Sequence, residues 1–105
     1  MEPDPKVISK LVQGIVEAIH PLRIILFGSA VRNEMGPDSD IDVLVVMPKG
    51  VHRRQTAQFL YRHVRGIGMP FDILVVTPDD LEKHKNNIGL IYRTILQEGR
   101  EVYAL

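Results

Sequence analysis

The segment DIDVLVVM, from Asp40 to Met47, constrains the fold of this chain more than any other part of the sequence. Two aspartates open the segment, and its later residues are apolar without interruption. A strand with one face in water would alternate apolar and polar residues, so a continuous apolar run is typical of a central strand covered on both faces. We therefore expect a sheet that carries helices on its faces.

The rest of the chain alternates predicted helices and short strands. Apolar residues recur every three or four positions between Pro5 and Pro21, which predicts an amphipathic helix. RIILF (23–27) and FDILVV (71–76) are short runs rich in β-branched residues, and both predict strands. Further helices are expected over 29–35 and 51–67, with two more between Thr77 and Gly99, and 100–105 forms either a last strand or an extended arm.

The length of the chain sets the size of the fold. Its 105 residues can support one hydrophobic core, so we expect a single domain over residues 1–105. The order of helices and strands predicts an α/β (α+β) fold, in which a small mixed β-sheet is flanked by helices.

Composition excludes several classes of function. Thirteen basic and thirteen acidic residues give a net charge of zero, which argues against a dedicated nucleic-acid binder. Cysteine is absent, so disulfides and thiolate metal sites are excluded. No apolar run approaches the roughly 20 residues that cross a bilayer, and the N-terminus lacks the pattern of a signal peptide. We expect a cytoplasmic protein without a membrane partner.

Asp40 and Asp42 lie two residues apart on the predicted central strand, so their side chains point to the same side of the sheet. Two such carboxylates repel by up to about 4 kcal/mol if their oxygens come within about 4 Å at an effective dielectric near 20. A divalent cation between them would offset that cost. The alternative is that both aspartates begin the strand at an exposed end and simply face water.

Asp72 strengthens the metal interpretation, because it occupies in FDILVV a position that resembles that of Asp42 in IDVLVV. If the two strands pair, a spacing near 4.8 Å brings Asp72 within reach of the same ion. Ligand sets made only of oxygen suit Mg²⁺ or Mn²⁺ rather than zinc. Two such ions can activate a hydroxyl and stabilise the leaving oxygen of a phosphoryl displacement.

The pair Gly28-Ser29 precedes these acids and predicts a phosphate-binding turn. Glycine lets the backbone approach a phosphate closely, and serine offers a hydroxyl and an N–H group at the start of a short helix. Most Gly-Ser pairs are plain turns, and this one is informative only because it stands ahead of Asp40.

Together, FGSAVR (27–32) and DSDIDVLV (38–45) resemble the signature of the DNA polymerase β-like nucleotidyltransferase superfamily. That signature is a Gly-Ser turn, a D-x-D flanked by hydrophobic residues, and a third acid on a later strand. The short chain and its ending EGREVY resemble the minimal nucleotidyltransferases, the MNT group. The resemblance implies a nucleotidyltransferase fold, of the polymerase β-like palm type.

The resemblance also implies a role for each matching residue. Asp40 and Asp42 would ligate two Mg²⁺ ions, and Asp72 would complete the metal site and help deprotonate the acceptor hydroxyl. Gly28 and Ser29 would bind the β- and γ-phosphates of the nucleotide. Arg32 would neutralise phosphate charge, and Ser39 would orient the metal-binding loop. Asn33 stands where the family often has glycine, and asparagine tolerates a left-handed backbone better than most residues.

The function implied is Mg²⁺-dependent transfer of a nucleoside monophosphate, AMP from ATP, to a hydroxyl. In the MNT group the acceptor is a HEPN-domain protein in some members, and the MNT protein is the antitoxin of a toxin–antitoxin pair, acting as a protein adenylyltransferase. Two alternatives stay open: a non-catalytic MNT binding module that neutralises its HEPN partner by contact, and a nucleotidyltransferase for small molecules. A homodimer and a hetero-oligomer are both compatible with so small a domain.

One further pattern is independent of this motif. From Val43 to Phe71 the sequence contains no acidic residue. The basic residues of this segment are Lys49, Arg53, Arg54, Arg62 and Arg65. The segment is either a solvated helix surface or a binding surface for phosphates, a polynucleotide or an acidic partner.

Overall fold

A computed structural model describes residues 4–28, 31, 40–84 and 90–105 of the chain. The helix expected over 29–35 lies, except for residue 31, outside the described residues. The elements are α1 (Pro5–Ile19), β1 (Arg23–Phe27), β2 (Ile41–Val46), α2 (Arg53–His63), β3 (Phe71–Val76), α3 (Pro78–His84), α4 (Leu90–Glu98) and β4 (Arg100–Ala104). None of the helices in this described part is long and apolar enough to cross a lipid bilayer.

The four strands form one mixed sheet in the order β3-β2-β1-β4. Strands β2 and β3 are parallel, whereas β1 is antiparallel to both of its neighbours, β2 and β4. The structure confirms the expected mixed sheet flanked by helices, with β2 at an interior position. The tail is a strand rather than an arm, and the ion pair between Arg23 and Glu101, 2.6 Å apart, joins it to β1.

The two faces of the sheet carry separate apolar clusters, which explains why β2 is apolar throughout. Side chains at 41, 43 and 45 face α1 and α2, on what we call the α1/α2 side of the sheet. Leu44 and Val46 face the opposite direction and pack with Ile95 of α4, on what we call the α4 side. Because β2 is covered from both directions, its side chains from 43 to 46 are all buried.

Helix α1 begins and ends at recognisable caps. The Asp4 carboxylate accepts a hydrogen bond of 2.9 Å from the Lys6 N–H, and Pro5 occupies the first turn, where its missing N–H costs nothing. The helix ends at His20, whose backbone is left-handed with φ 49°. Three side chains spaced along one stripe are buried against the sheet: Ile8, Leu11 and Ile15.

Helix α2 is shorter than the sequence predicts, since it ends at His63 rather than near residue 67. Val64 has an extended backbone, and Gly66 and Gly68 follow with φ of 72° and 88°, values that an α-helix does not contain. Val64 and Ile67 are nevertheless buried in the core of the α1/α2 side. The apolar spacing therefore marked the buried residues correctly, while the backbone after His63 is no longer helical.

Tyr61 of α2 packs against β3, an edge strand of the sheet. Its hydroxyl accepts a hydrogen bond of 2.7 Å from the Ile73 N–H, and its ring stacks on Phe71 at 5.8 Å between centroids. We expect Tyr61→Phe to lower the free energy of unfolding by about 1 kcal/mol, because it leaves that N–H without its partner. Urea unfolding measures the change. Tyr103→Phe, in β4 at the opposite edge of the sheet, serves as the control, and equal losses in the two variants would contradict this account.

Candidate active site

The three aspartates identified in the sequence lie at the starts of two neighbouring strands. Asp40 immediately precedes β2, Asp42 is its second residue, and Asp72 is the second residue of β3. The parallel register places Asp42 directly beside Asp72. A hydrogen bond of 3.0 Å from the Ile41 N–H to the Pro70 carbonyl aligns the two strand starts. The pairing on which the sequence hypothesis depended is therefore present.

All three acids point to the α4 side of the sheet. Side chains alternate along a strand, so Asp40 and Asp42 share the side of Leu44, and Asp72 shares it through its register with Asp42. The residues further along these strands on that side are buried in the cluster that includes Ile95. The acids lie beyond this cluster, and Asp72 is exposed to solvent whereas Asp40 and Asp42 are half-buried.

Gly28 makes room for the Asp42 carboxylate. It follows the last residue of β1, Phe27, which is the antiparallel partner of Asp42. A Cβ atom built on Gly28 would overlap the Oδ2 atom of Asp42, and the φ of Gly28 is 72°, in the left-handed region that favours glycine. The sequence interpretation gave Gly28 to a phosphate, whereas the structure shows a close approach to a carboxylate.

Asp40 and Asp72 are in direct contact. The pKa of the Asp72 carboxyl is raised above its ordinary value by partial loss of solvent, then by the negative charge of Asp40, and by a hydrogen bond between the two side chains. Asp72 is exposed, so water moderates both the effect of lost solvent and the effect of the Asp40 charge. Two carboxyls in such contact hold a proton more readily than one alone.

The donor atoms fit a hard divalent cation, although the side chains do not form a finished site. Among the residues that the structure describes, no three acidic or histidine side chains are gathered closely enough to hold one ion as they stand. Asp40 and Asp72 contact each other, while Asp42 lies against Gly28. All the donors are carboxylate oxygens, which Mg²⁺ prefers, and deprotonation of the pair leaves two like charges for a cation to offset.

The other residues proposed from the sequence are not part of this geometry. Ser29, Arg32 and Ser39 lie outside the described residues, as does Asn33. The structure therefore brings together Asp40, Asp42, Asp72 and Gly28, and the metal-binding, catalytic and nucleotide-binding roles of all these residues stay predictions.

Comparison with known families decides the family of the chain. The sequence model described as "Nucleotidyltransferase domain" matches residues 8–102, almost the whole chain. The chain belongs to this nucleotidyltransferase domain family. The superfamily inferred from the Gly-Ser and D-x-D motifs is thereby confirmed, whereas the MNT subgroup and the pairing with a HEPN protein stay predictions.

A solved structure shares the fold of this nucleotidyltransferase domain. It is a crystal structure from Sulfolobus solfataricus, named provisionally as a nucleotidyltransferase, and it superposes with a TM-score of 0.63 at 20% sequence identity. The alignment covers 94% of this chain and 78% of that one. At this identity the likeness concerns the fold alone, and it confirms the nucleotidyltransferase fold that the sequence predicts. No curated protein matches the sequence significantly.

Two features of the site escaped the sequence interpretation. One is the contact between Gly28 and Asp42, which depends on the antiparallel register of β1 and β2. The other is that Asp72 contacts Asp40, which is not its partner in the strand register. Neither is visible in the motif, because a motif gives the spacing of residues along the chain and not the register across strands.

Proposed function

We propose that this nucleotidyltransferase domain transfers a nucleoside monophosphate, AMP from ATP, to a hydroxyl group of an acceptor, with release of pyrophosphate. One observation carries the proposal: three carboxylates from two parallel strands lie on one side of the sheet, with Asp42 beside Asp72 and Asp40 in contact with Asp72. Structural ion networks also place acids together, but this group has no described basic side chain paired with Asp40 or Asp72.

Each carboxylate has a proposed task in the transfer. Asp40 and Asp42 would hold the metal, and Asp72 would complete its ligand set and accept the proton of the acceptor hydroxyl. When bound, Mg²⁺ supplies positive charge that neutralises the triphosphate. The acceptor oxygen attacks the α-phosphorus, and the bond to the pyrophosphate oxygen breaks.

The nucleotide-binding residues are proposed around the end of β1. Ser29 and Arg32 would bind the phosphates of ATP, and Ser39 would orient the loop ahead of β2. Gly28 supports this arrangement in two ways, since it leaves space for the Asp42 carboxylate and gives the backbone room to approach a phosphate.

The acceptor is proposed to be a HEPN-domain protein, which the chain would neutralise as its cytoplasmic antitoxin by adenylylating a hydroxyl side chain. This step rests on the resemblance of the sequence to the MNT group. The position of the label tests the reaction class: ATP labelled at the α-phosphate should label the HEPN partner, and ATP labelled at the γ-phosphate should not. Label arriving only from the γ-phosphate would show phosphoryl transfer and contradict the proposal.

Metal binding should depend on pH in a direction that the Asp72 carboxyl sets. Its pKa is higher in the folded chain than the roughly 3.9 of an ordinary aspartate. The metal-free fold therefore loses stability as the pH rises from that ordinary value to the raised pKa of Asp72. Mg²⁺ competes with this proton. We therefore expect Mg²⁺ to raise the melting temperature at neutral pH, and the increase to shrink towards the pKa of Asp72.

Differential scanning fluorimetry with Mg²⁺, and with Na⁺ at matched ionic strength, measures this effect. EDTA should reverse it. In Asp72→Asn the Mg²⁺-dependent increase should be smaller and nearly independent of pH. An increase that is equal at all pH values, or unchanged in the variant, would contradict the assignment.

A further inference from the structure

A groove of about 530 Å³ runs along the outer edge of the sheet, away from the three aspartates. Residues 73–75 of β3 form one wall, and the start of α2 with the turn before it forms the other, through Val51, His52, Arg53, Arg54 and Ala57. In the part of the chain that the structure describes, β3 is the last strand on this side of the sheet. The groove therefore has a strand edge as its wall.

The direction of the backbone groups along β3 can be read from its hydrogen bonds. The carbonyls of Pro70 and Val76 accept hydrogen bonds from the β2 side, from Ile41 and Met47 respectively. Backbone groups alternate along a strand, so those of residues 73 and 75 face outwards. Tyr61 already accepts the Ile73 N–H, which closes the edge at that residue. The groups of Val75, a groove-lining residue that is 5% exposed, also face outwards, and the Asp80 carboxylate accepts the next outward N–H, that of Thr77, at 3.0 Å.

The charge around the groove is unbalanced. No acidic residue occurs between Val43 and Phe71, and the acids that approach come from the start of α3: Asp80 lies 3.6 Å from Arg53, and Asp79 lies 3.8 Å from Lys49. Arg54 is exposed and lines the groove, and no acidic side chain among the described residues pairs with it. The groove thus presents apolar side chains, the His52 ring, outward backbone groups and the Arg54 guanidinium, which no acid of the described part of the chain pairs with.

We propose that this groove binds an extended, acidic peptide segment of a partner protein. The segment would lie along β3 at Val75, place small apolar side chains over Val51 and Ala57, and direct a carboxylate to Arg54. A single-stranded nucleic acid fits less well. A strand edge offers backbone groups that match a peptide, whereas the aromatic rings here are already engaged: the His52 ring that lines the groove accepts a hydrogen bond of 3.2 Å from the Gln55 N–H, and Tyr61 is stacked on Phe71.

Binding of a defined peptide to the full chain tests the proposal. A fluorescein-labelled peptide that alternates glutamate and valine is titrated by fluorescence anisotropy, and amide chemical shifts report where it binds. We expect saturable binding with shifts at residues 73–75, and no binding of the same peptide with lysine in place of glutamate. Arg54→Glu should weaken the affinity about tenfold. No nucleotide is present, so the result is separate from the transfer reaction.

Arg65→Glu provides the matched control, because it makes the same change of charge at an exposed residue beyond the end of α2 and outside the groove. It should change the affinity less than twofold. Ala57→Gln, which fills the groove with a side chain that favours the helix, should weaken binding without altering the charge. Failure of the peptide to bind, equal losses in the two arginine variants, or tighter binding of oligothymidylate that depends on Arg54 would overturn the proposal.

Discussion

Replacing Asp42 by asparagine is expected to lower the rate of nucleotidyl transfer by about a thousandfold while the chain stays folded. Asparagine keeps the size of the side chain and one oxygen but removes the negative charge that a divalent cation requires of its ligands. Asp42 lies beside Asp72 in the register of β2 and β3. The substitution therefore also lowers the negative charge around Asp72. Initial rates of transfer from labelled ATP at saturating Mg²⁺ measure the loss.

Asp79→Asn is the matched control for this substitution. Asp79 is exposed at the start of α3 and lies 3.8 Å from the Lys49 ammonium, an exposed ion pair that contributes little to stability. The control variant should therefore transfer at close to the rate of the unmodified chain. A rate in Asp42→Asn within a few-fold of that control would show that this carboxylate is not part of the reaction.

Gly28→Ala is expected to have the largest effect on stability among the substitutions that add a single methyl group near the site. The left-handed backbone costs an L-residue about 1–2 kcal/mol, and the new Cβ would in addition overlap the Asp42 carboxylate. We expect a total loss of about 2–4 kcal/mol in the free energy of unfolding. Urea unfolding measures it, and transfer activity should fall as well, because Asp42 has to move.

Gly68→Ala separates the two causes of that loss. Gly68 has a comparable φ of 88°, but a Cβ built on it would meet nothing within 4 Å. This variant should lose only the backbone contribution, about 1–2 kcal/mol, and retain activity. If the two variants lost the same stability and the same activity, the close approach of Gly28 to Asp42 would have no energetic consequence.

The parts of the fold that the sequence predicted well are those with unambiguous periodicity. Helix α1 has a capping aspartate, a proline in its first turn and a regular apolar stripe, and its bounds agree with the prediction. The continuous apolar run of β2 correctly indicated an interior strand with both faces covered. Helix α2 was predicted too long, because Val64 and Ile67 continue its apolar spacing although the helix has ended at His63.

The candidate site was predictable as a set of residues but not as a geometry. The similar positions of Asp42 and Asp72 in two similar apolar runs predicted that the strands would bring them together, and the parallel register does so. The contact of Asp40 with Asp72 and the position of Asp42 against Gly28 depend on pairings between strands far apart in the sequence. A shift of one residue in either register would turn these side chains to the opposite face, and no local pattern fixes it.

The central claim is that the chain acts on its partner by chemistry at these carboxylates and not by contact alone. The most direct test combines two readouts on one partner. α-Labelled ATP and Mg²⁺ are added to the chain together with any HEPN protein encoded beside it. The label on the HEPN protein and its toxicity are then measured for the unmodified chain and for Asp42→Asn. We predict label and neutralisation with the unmodified chain, and loss of both in the variant. Neutralisation by both forms with no label on the HEPN protein would contradict the account and show a binding module.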